Sequence, residues 1–219
     1  MKLNDVDLSP ASATITVPYL RSVPKRLFDL SFSVALLVLT APIWILAVML
    51  VAMDGGPVFY GQRRVGQDGR IFKCWKFRTM VVNAEEHLKE LMASDPALAH
   101  EWNTTQKLKA DPRVTTVGHW LRRTSIDELP QFINVLNGSM SVVGPRPFAQ
   151  DQIALYGRSV LAKYLSAKPG LTGTWQVHAR HDTTFACRAK FDEQYLSQAS
   201  LVTDLALVIK TPLAMLRGT

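Results

Sequence analysis

Residues Leu30–Met53 read LSFSVALLVLTAPIWILAVMLVAM, 24 residues without a charge. As one helix this run extends roughly 36 Å, against roughly 30 Å for the hydrocarbon core of a bilayer. A helix apolar on every face is unusual in a soluble chain of 219 residues, so the run predicts a membrane segment, with a buried core helix as the alternative. Pro42 falls at its midpoint, where it removes a backbone hydrogen bond and kinks a helix. The flanks are basic on both sides. Arg21, Lys25 and Arg26 precede the run; Arg63, Arg64, Arg70, Lys73, Lys76 and Arg78 follow it. The positive-inside rule therefore places both ends in the cytoplasm. A helix–break–helix that enters one leaflet and returns satisfies the proline and the charges together. A kinked single span is the competing arrangement. The polar first 22 residues, with Pro10 and Pro18, and the lack of a small-residue cleavage site before Asp54 argue against a signal peptide.

Outward from that segment the chain divides into three parts: a flexible polar tail (1–22), the re-entrant membrane helix (23–53) and a cytoplasmic domain (54–219). The expected fold class is mainly α with short β segments. Asp54-Gly55-Gly56-Pro57 is a turn cluster. Val58 to Met80 suits short strands, with Gln67-Asp68-Gly69-Arg70 as a hairpin turn. Residues 81–94 show helical periodicity through Val81, Ala84, Leu88, Leu91 and Met92. A polar connection is expected between Pro96 and Asp111-Pro112. Trp120 to Leu136 reads as helix in pieces, stopped by Asn137-Gly138. Pro145, Pro147, Pro169 and Gly170 predict an irregular stretch. Residues 199–217 form an apolar helix broken by Pro212, read as interfacial, with a packed core helix nearly as well supported.

Lysine and arginine number 25 against 18 aspartate and glutamate, a net charge of +7, which favours an anionic partner: nucleic acid, a phospholipid surface or a phosphorylated substrate. Cys74 and Cys187 match no metal or disulfide spacing, which favours a reducing compartment. The segment most informative about chemistry is Leu121-Arg122-Arg123-Thr124-Ser125-Ile126-Asp127-Glu128-Leu129-Pro130-Gln131. Ser125 and Glu128 have capping-box spacing, although Pro130 is awkward for a helix starting at Ser125. Either way the Asp127-Glu128 pair lies at the mouth of a helix. Adjacent carboxylates can divide the work of phosphoryl transfer: one attacks phosphorus and the other holds a divalent metal. Taken alone, the pair reads more simply as acids completing a helix start. Arg146, between Pro145 and Pro147, is either a loop cap or a rigidly presented bidentate phosphate donor. Lys76 and Arg78 are either a solvated strand face or a phosphate clamp.

Longer motifs carry a resemblance. They are Lys25-Arg26-Leu27-Phe28-Asp29 before the apolar run, then Pro57-Val58-Phe59-Tyr60, Gln62-Arg63-Arg64-Val65-Gly66 and Lys76-Phe77-Arg78-Thr79-Met80. Ser125 to Gln131 follows, then Asn134-Val135-Leu136-Asn137-Gly138-Ser139-Met140-Ser141, Val143-Gly144-Pro145-Arg146-Pro147 and Pro169-Gly170-Leu171-Thr172-Gly173. In this order, from about Lys25 to Leu216, the chain resembles the bacterial sugar transferases, the monotopic polyprenyl-phosphate phosphoglycosyl transferases.

The resemblance implies a fold and a two-step reaction. A re-entrant helix supports a small cytoplasmic catalytic domain with interfacial helices, on the cytoplasmic face of the bacterial inner membrane. Asp127 would attack the sugar-bearing phosphate of a UDP-sugar and release UMP. Undecaprenyl phosphate would then take the phospho-sugar from the enzyme and so start exopolysaccharide synthesis. Glu128 would hold Mg²⁺, with Asp192 the candidate for a further acidic ligand. Arg122, Lys76 and Arg78 would bind phosphate, and Arg146 with Pro145 and Pro147 the nucleotide. The implied partners are a UDP-sugar, with galactose or glucose the guess, undecaprenyl phosphate and anionic membrane lipid, and no nucleic acid. Trp175, His178, Arg180 and His181 are candidates for sugar contact, with packing equally well supported. One departure stands out: Ala41-Pro42 occupies the break where family members often have Ser-Pro, leaving Thr40 as the nearby hydroxyl that could bond the freed backbone. Two other classes compete: a membrane-anchored basic adaptor, which has no need of the acid pair, and a glycosyltransferase acting by direct displacement, which would release UDP.

Overall fold

The computed structural model describes residues 18–105, 108–179 and 185–216. The chain forms two compact units. The first combines Met1–Ala41, Gly61–Trp75 and Pro130–Thr219; the second combines Pro42–Tyr60 and Lys76–Leu129.

The apolar run forms two helices, α1 (Val23–Leu39) and α2 (Ala41–Met53), bent by 65° at the break. Neither helix alone is long and apolar enough to cross a membrane; the bent pair together has the length and composition. Thr40 ends α1, and its hydroxyl donates to the Leu36 carbonyl at 2.7 Å. Pro42 sits in the first turn of α2, where its missing N–H costs nothing. The Leu36 carbonyl also accepts the Thr40 amide at 2.8 Å, so the Thr40 hydroxyl reinforces the end of α1 and does not bond the Val38 carbonyl, four residues before Pro42.

The first unit is built around α1, and α1 is inverted relative to a soluble amphipathic helix. Its buried residues are Lys25, Asp29 and Ser33, while Val23, Leu27, Val34, Val38 and Leu39 are exposed, Val38 by 71%. Lys25 and Asp29 of this buried polar face are engaged, while the Ser33 hydroxyl has no hydrogen-bond partner among the described residues. Lys25 Nζ donates to Asp29 Oδ1 (3.1 Å), Asp204 Oδ2 (2.6 Å) and the Val143 carbonyl (3.1 Å). Asp29 also accepts from Ser141 Oγ and the Val142 amide. These bonds tie α1 to β3 (Ser141–Val143), which pairs in parallel with β4 (Gly170–Thr172) in the register Ser141–Gly170 and Val143–Thr172. That pair needs glycine: a Cβ on Gly170 would lie 2.1 Å from the Gly144 nitrogen. Behind it Val135, Met140, Val142, Tyr195, Leu196 and Leu207 form one core; a second gathers Phe148, Tyr156 and Tyr164 with Val65, Ile153 and Leu161.

The hairpin β1 (Phe59–Val65) and β2 (Ile71–Phe77) turns through a 3-10 helix at Gln67–Gly69, as the glycines predict. In the first unit, Asn134 of α6 (Gln131–Leu136) clamps this hairpin. It donates to the Lys73 carbonyl at 2.8 Å and accepts from the Trp75 amide at 2.9 Å.

The second unit holds α2, α3 (Ala84–Ser94), α4 (Pro96–Thr105) and α5 (Thr116–Thr124). Its core is Ala47, Val51, Phe77 and Leu121, with Trp44 packed edge-on to Phe77 at 5.2 Å.

Several expectations change. Of the segment 1–22 expected to be a flexible tail, residues 1–17 lie outside the described residues, and its end is a 3-10 turn, Pro18–Arg21, whose Leu20 is buried and whose Tyr19 donates to Asp204 at 2.9 Å. The polar connection expected after Pro96 begins as α4, because proline is favoured in a first helical turn and Asp95 Oδ1 accepts from the Ala97 amide. The stretch read as irregular contains α7 (Arg158–Leu165), α8 (Thr174–His178) and α9 (Phe185–Gln198). Finally, α10 (Leu201–Leu216) runs through Pro212. A proline near a helix end removes only one bond, and Thr211 Oγ1 bonds the Leu207 carbonyl at 2.7 Å one residue earlier.

Candidate active site

The sequence-predicted residues fall into two clusters, one in each unit. In the second unit, α5 ends at Ser125, which takes φ +56°. That left-handed turn ends one helix instead of starting the next, so the expected Ser125 cap is not made; an N-cap needs extended backbone. A single 3-10 turn, Ile126–Glu128, then carries both acids ahead of Pro130 and α6. Within the unit, Ile126 and Leu129 pack against the core, and Asp127 is left only 7% exposed.

Lys76, at the end of β2, faces both acids. Its Nζ lies 2.8 Å from Glu128 Oε1 and 3.5 Å from Asp127 Oδ2. Arg122, in the last turn of α5, donates from Nε to Thr79 Oγ1 at 2.9 Å. The approach of α5 that permits this depends on Gly118, where a Cβ would stand 2.1 Å from the Thr79 carbonyl oxygen. Burial pushes the Asp127 carboxyl above the usual carboxylate range; Lys76 pulls it back, Glu128 adds to the rise and Arg122 opposes it. Burial likewise pulls the Arg122 guanidinium below its ordinary value, against the attraction of Asp127 and Asp111. The result is a buried carboxylate with one cation in loose contact.

Arg78 takes a different place from Lys76. It is buried and donates to the Val51 carbonyl in the last turn of α2 at 3.1 Å. Its Nε and Nη1 have no hydrogen-bond partner among the described residues.

The first unit holds the Pro145-Arg146-Pro147 turn. The Arg146 guanidinium lies over the Trp175 ring at 5.8 Å, and Arg188 of α9 lies over the same ring at 5.6 Å. Arg188 also donates to the Arg146 carbonyl and pairs with Asp192 at 3.6 Å. Asp192 accepts from Tyr156 at 2.7 Å and is 2% exposed. Burial raises its carboxyl above the ordinary value, with Arg188 and Tyr156 pulling it down. Asp192 thus lies in the support of the Pro-Arg-Pro turn. His178 stacks parallel to Phe191 at 6.5 Å. Arg180 and His181 lie outside the described residues.

Sequence reasoning missed Thr79, Arg188 and Tyr156. Thr79 stood in the quoted Lys-Phe-Arg-Thr-Met motif. Arg188 had its signal in the i, i+4 spacing to Asp192.

For a divalent ion, the described residues offer no group of three acidic, histidine or cysteine side chains. The acidic side chains of this cluster that could hold an ion are Asp127 and Glu128, and an ion held by one or two carboxylates completes its shell with water or phosphate oxygens.

Comparison with known proteins agrees with the motifs. A family model described as bacterial sugar transferase matches residues 20–218. The exopolysaccharide production protein ExoY of Rhizobium meliloti is 51% identical over 189 residues, covering 85% of this chain and 83% of that protein. The undecaprenyl-phosphate galactose phosphotransferase of Salmonella typhimurium is 48% identical over 193 residues, 88% of this chain and 40% of that protein. The UDP-glucose:undecaprenyl-phosphate glucose-1-phosphate transferase of Escherichia coli is 38% identical over 196 residues, 85% of this chain and 39% of that protein.

Proposed function

The chain belongs to the bacterial sugar transferase family, and from that premise we propose that it moves a hexose-1-phosphate from a UDP-sugar to undecaprenyl phosphate at a membrane surface. The relatives named for undecaprenyl-phosphate sugar transfer support the donor and acceptor, and they favour galactose or glucose as the sugar. One observation carries the chemistry: a buried aspartate, Asp127, faces Lys76 beside a second acid.

In this reading a carboxylate oxygen of Asp127 bonds to the sugar-bearing phosphorus, and the bridging P–O bond breaks to release UMP. A phosphate oxygen of the lipid then attacks the same phosphorus and frees Asp127. The covalent intermediate lets a water-soluble donor and a lipid acceptor use one nucleophile in turn. Lys76 and Arg122 balance negative charge on the phosphates. Arg78, itself buried, adds positive charge and holds the end of α2 through the Val51 carbonyl. Glu128, with Asp127 beside it, would hold Mg²⁺, which supplies further neutralisation of the phosphate oxygens. Arg146 presents a planar cation to the nucleotide, fixed by Arg188, and Asp192 serves by fixing Arg188.

The membrane reading rests on the inverted burial of α1. Apolar side chains face outward and charged ones inward, as a lipid-facing helix requires. α10 repeats the pattern, with Asp204 buried and Val202 and Ile209 exposed, as an interfacial helix would be. The re-entrant form predicts that cysteines at Pro18 and Tyr60, in a chain with Cys74 and Cys187 replaced by alanine, react from the same side. Opposite sides would exclude it.

The decisive experiment mixes purified protein with Mg²⁺ and UDP-galactose or UDP-glucose, without lipid acceptor. We expect UMP and a phospho-hexose adduct on Asp127 by mass spectrometry. Release of UDP would instead establish direct displacement. No turnover with any UDP-sugar, despite a folded protein, would favour an adaptor.

A further inference from the structure

In the first unit a cavity of about 370 Å³ opens beside the start of α1. Arg21, Lys25, Arg26 and Lys168 line it together with Asp29 and Ser141. Their partners distinguish them. Lys25 is matched by Asp29 and Asp204, and Arg21 by Asp68 at 2.6 Å. Arg26 and Lys168 have no carboxylate partner among the described residues. Arg26 donates to the Val135 and Leu136 carbonyls at 2.6 and 2.8 Å, which fixes its plane and leaves the rest of its five N–H donors. Lys168 makes no hydrogen bond or ion pair among the described residues. The two heads converge: Lys168 Nζ and Arg26 Nη2 lie 3.6 and 3.7 Å from one point, the place a Cβ would occupy on Gly138. The carboxylate in the lining, Asp29, is bonded to Lys25, so the two like charges of Arg26 and Lys168 gain from an anion that joins them. Burial and Arg26, with a smaller push from Lys25, pull the Lys168 ammonium below its ordinary value, against the attraction of Asp29.

We propose that this cavity is an anion site in which Arg26 and Lys168 together grip a phosphate group. An arginine fork held rigid and a lysine point charge form a strong phosphate-binding pair. The phosphate could be carried by a phospholipid headgroup, since α1 begins here and basic pockets at helix starts suit anionic headgroups, or by a free phosphate-bearing solute. Only the headgroup source depends on the membrane reading above. Neither cation belongs to the Asp127 cluster, so the site is additional to the proposed chemistry.

The test reads Lys168 itself. Lysines are reductively methylated with ¹³C, which keeps their charge, and the Lys168 signal is identified by its loss in Lys168→Arg. In neutral detergent, inorganic phosphate is expected to move the Lys168 signal saturably while exposed Lys190 stays still. In phosphate-free buffer, phosphatidylglycerol nanodiscs are compared with detergent. Movement with phosphate alone assigns a free solute; movement in the nanodiscs alone assigns the headgroup; movement in both supports the shared site. A Lys168 signal that is still in both arms, or that only follows Lys190, overturns the proposal. Arg26→Lys keeps the charge but loses the fork, and should raise the saturating concentration at least about tenfold. Unchanged saturation in that variant, with the remaining lysine signals in place, would equally overturn the paired grip.

Discussion

Two aspartates in this chain are nearly as buried as each other, yet their surroundings differ. Asp192, 2% exposed, accepts a phenol hydrogen bond and pairs with an arginine that is itself stacked on a tryptophan. Asp127, 7% exposed, has a lysine at 3.5 Å, which is closer to the neighbouring Glu128. Burial raises both carboxyls. In the first case the partners hold the carboxylate in place. In the second, the lone pairs remain available to an electrophile. A buried acid with many partners builds structure; a buried acid with few can react.

The sharpest way to break this comparison is to remove the carboxylate oxygen proposed to react. Asp127→Asn should lower UMP release by on the order of 10³-fold or more, since loss of a covalent nucleophile is among the costliest changes an active site can suffer. Its melting temperature should hold or rise, because a poorly compensated buried charge is lost. Equal UMP from the variant and the parent would remove Asp127 from the nucleophile's role.

Asp192 should show the reverse balance. Asp192→Ala leaves Arg188 buried without its anion and Tyr156 without its acceptor, at a cost of about 3 kcal/mol or more in unfolding free energy. Asp192→Asn still accepts from Tyr156 and should recover part of that loss. Urea unfolding of the three chains reads the order directly. If alanine proved harmless, Asp192 would not be holding the Arg188 support.

The contrast also explains what could be read from the sequence. The break in the apolar run, the hairpin and the helical pieces around Trp120–Leu136 were legible because proline, glycine and apolar spacing act locally. The acid pair was legible through the long motifs around it. By contrast, α9 was hidden because its inward face carries Asp192 alongside Ala189, Tyr195 and Leu196, so hydropathy alone does not mark it. Strands β3 and β4 are three residues each and are paired across a long separation in the chain, which no local pattern announces. Ser125 was misleading: its spacing to Glu128 fits a cap, but its positive φ uses it to end α5. The different destinations of Lys76 and Arg78, two residues apart, depend on where α2 ends and are visible only in the folded chain.

Arg146 tests whether the well-supported cluster serves the proposed reaction by binding the nucleotide. Arg146→Lys keeps the charge but loses the planar fork over Trp175. The expected change is a rise of about tenfold in KM for the UDP-sugar with kcat little altered, as for loss of a binding contact felt equally in ground and transition states. A fall in kcat at constant KM would move Arg146 from nucleotide binding to the chemistry itself.

The smallest effect is a displacement along the pH axis. In the proposed reaction Asp127 must be ionised to attack, so UMP release should fall as pH drops through its pKa. Burial has raised that pKa, which puts the acid limb above the ordinary carboxylate range, and Lys76 is the largest influence pulling it back. Lys76→Met removes this attraction, so the acid limb should move to higher pH, whatever happens to the maximal rate. Glu128→Gln removes the neighbouring negative charge, which raises the Asp127 pKa, so its limb should move to lower pH. Single-turnover UMP release across the pH range, compared in the parent and both variants, separates these signs. Two variants moving in the same direction would mean that the acid limb belongs to a group other than Asp127.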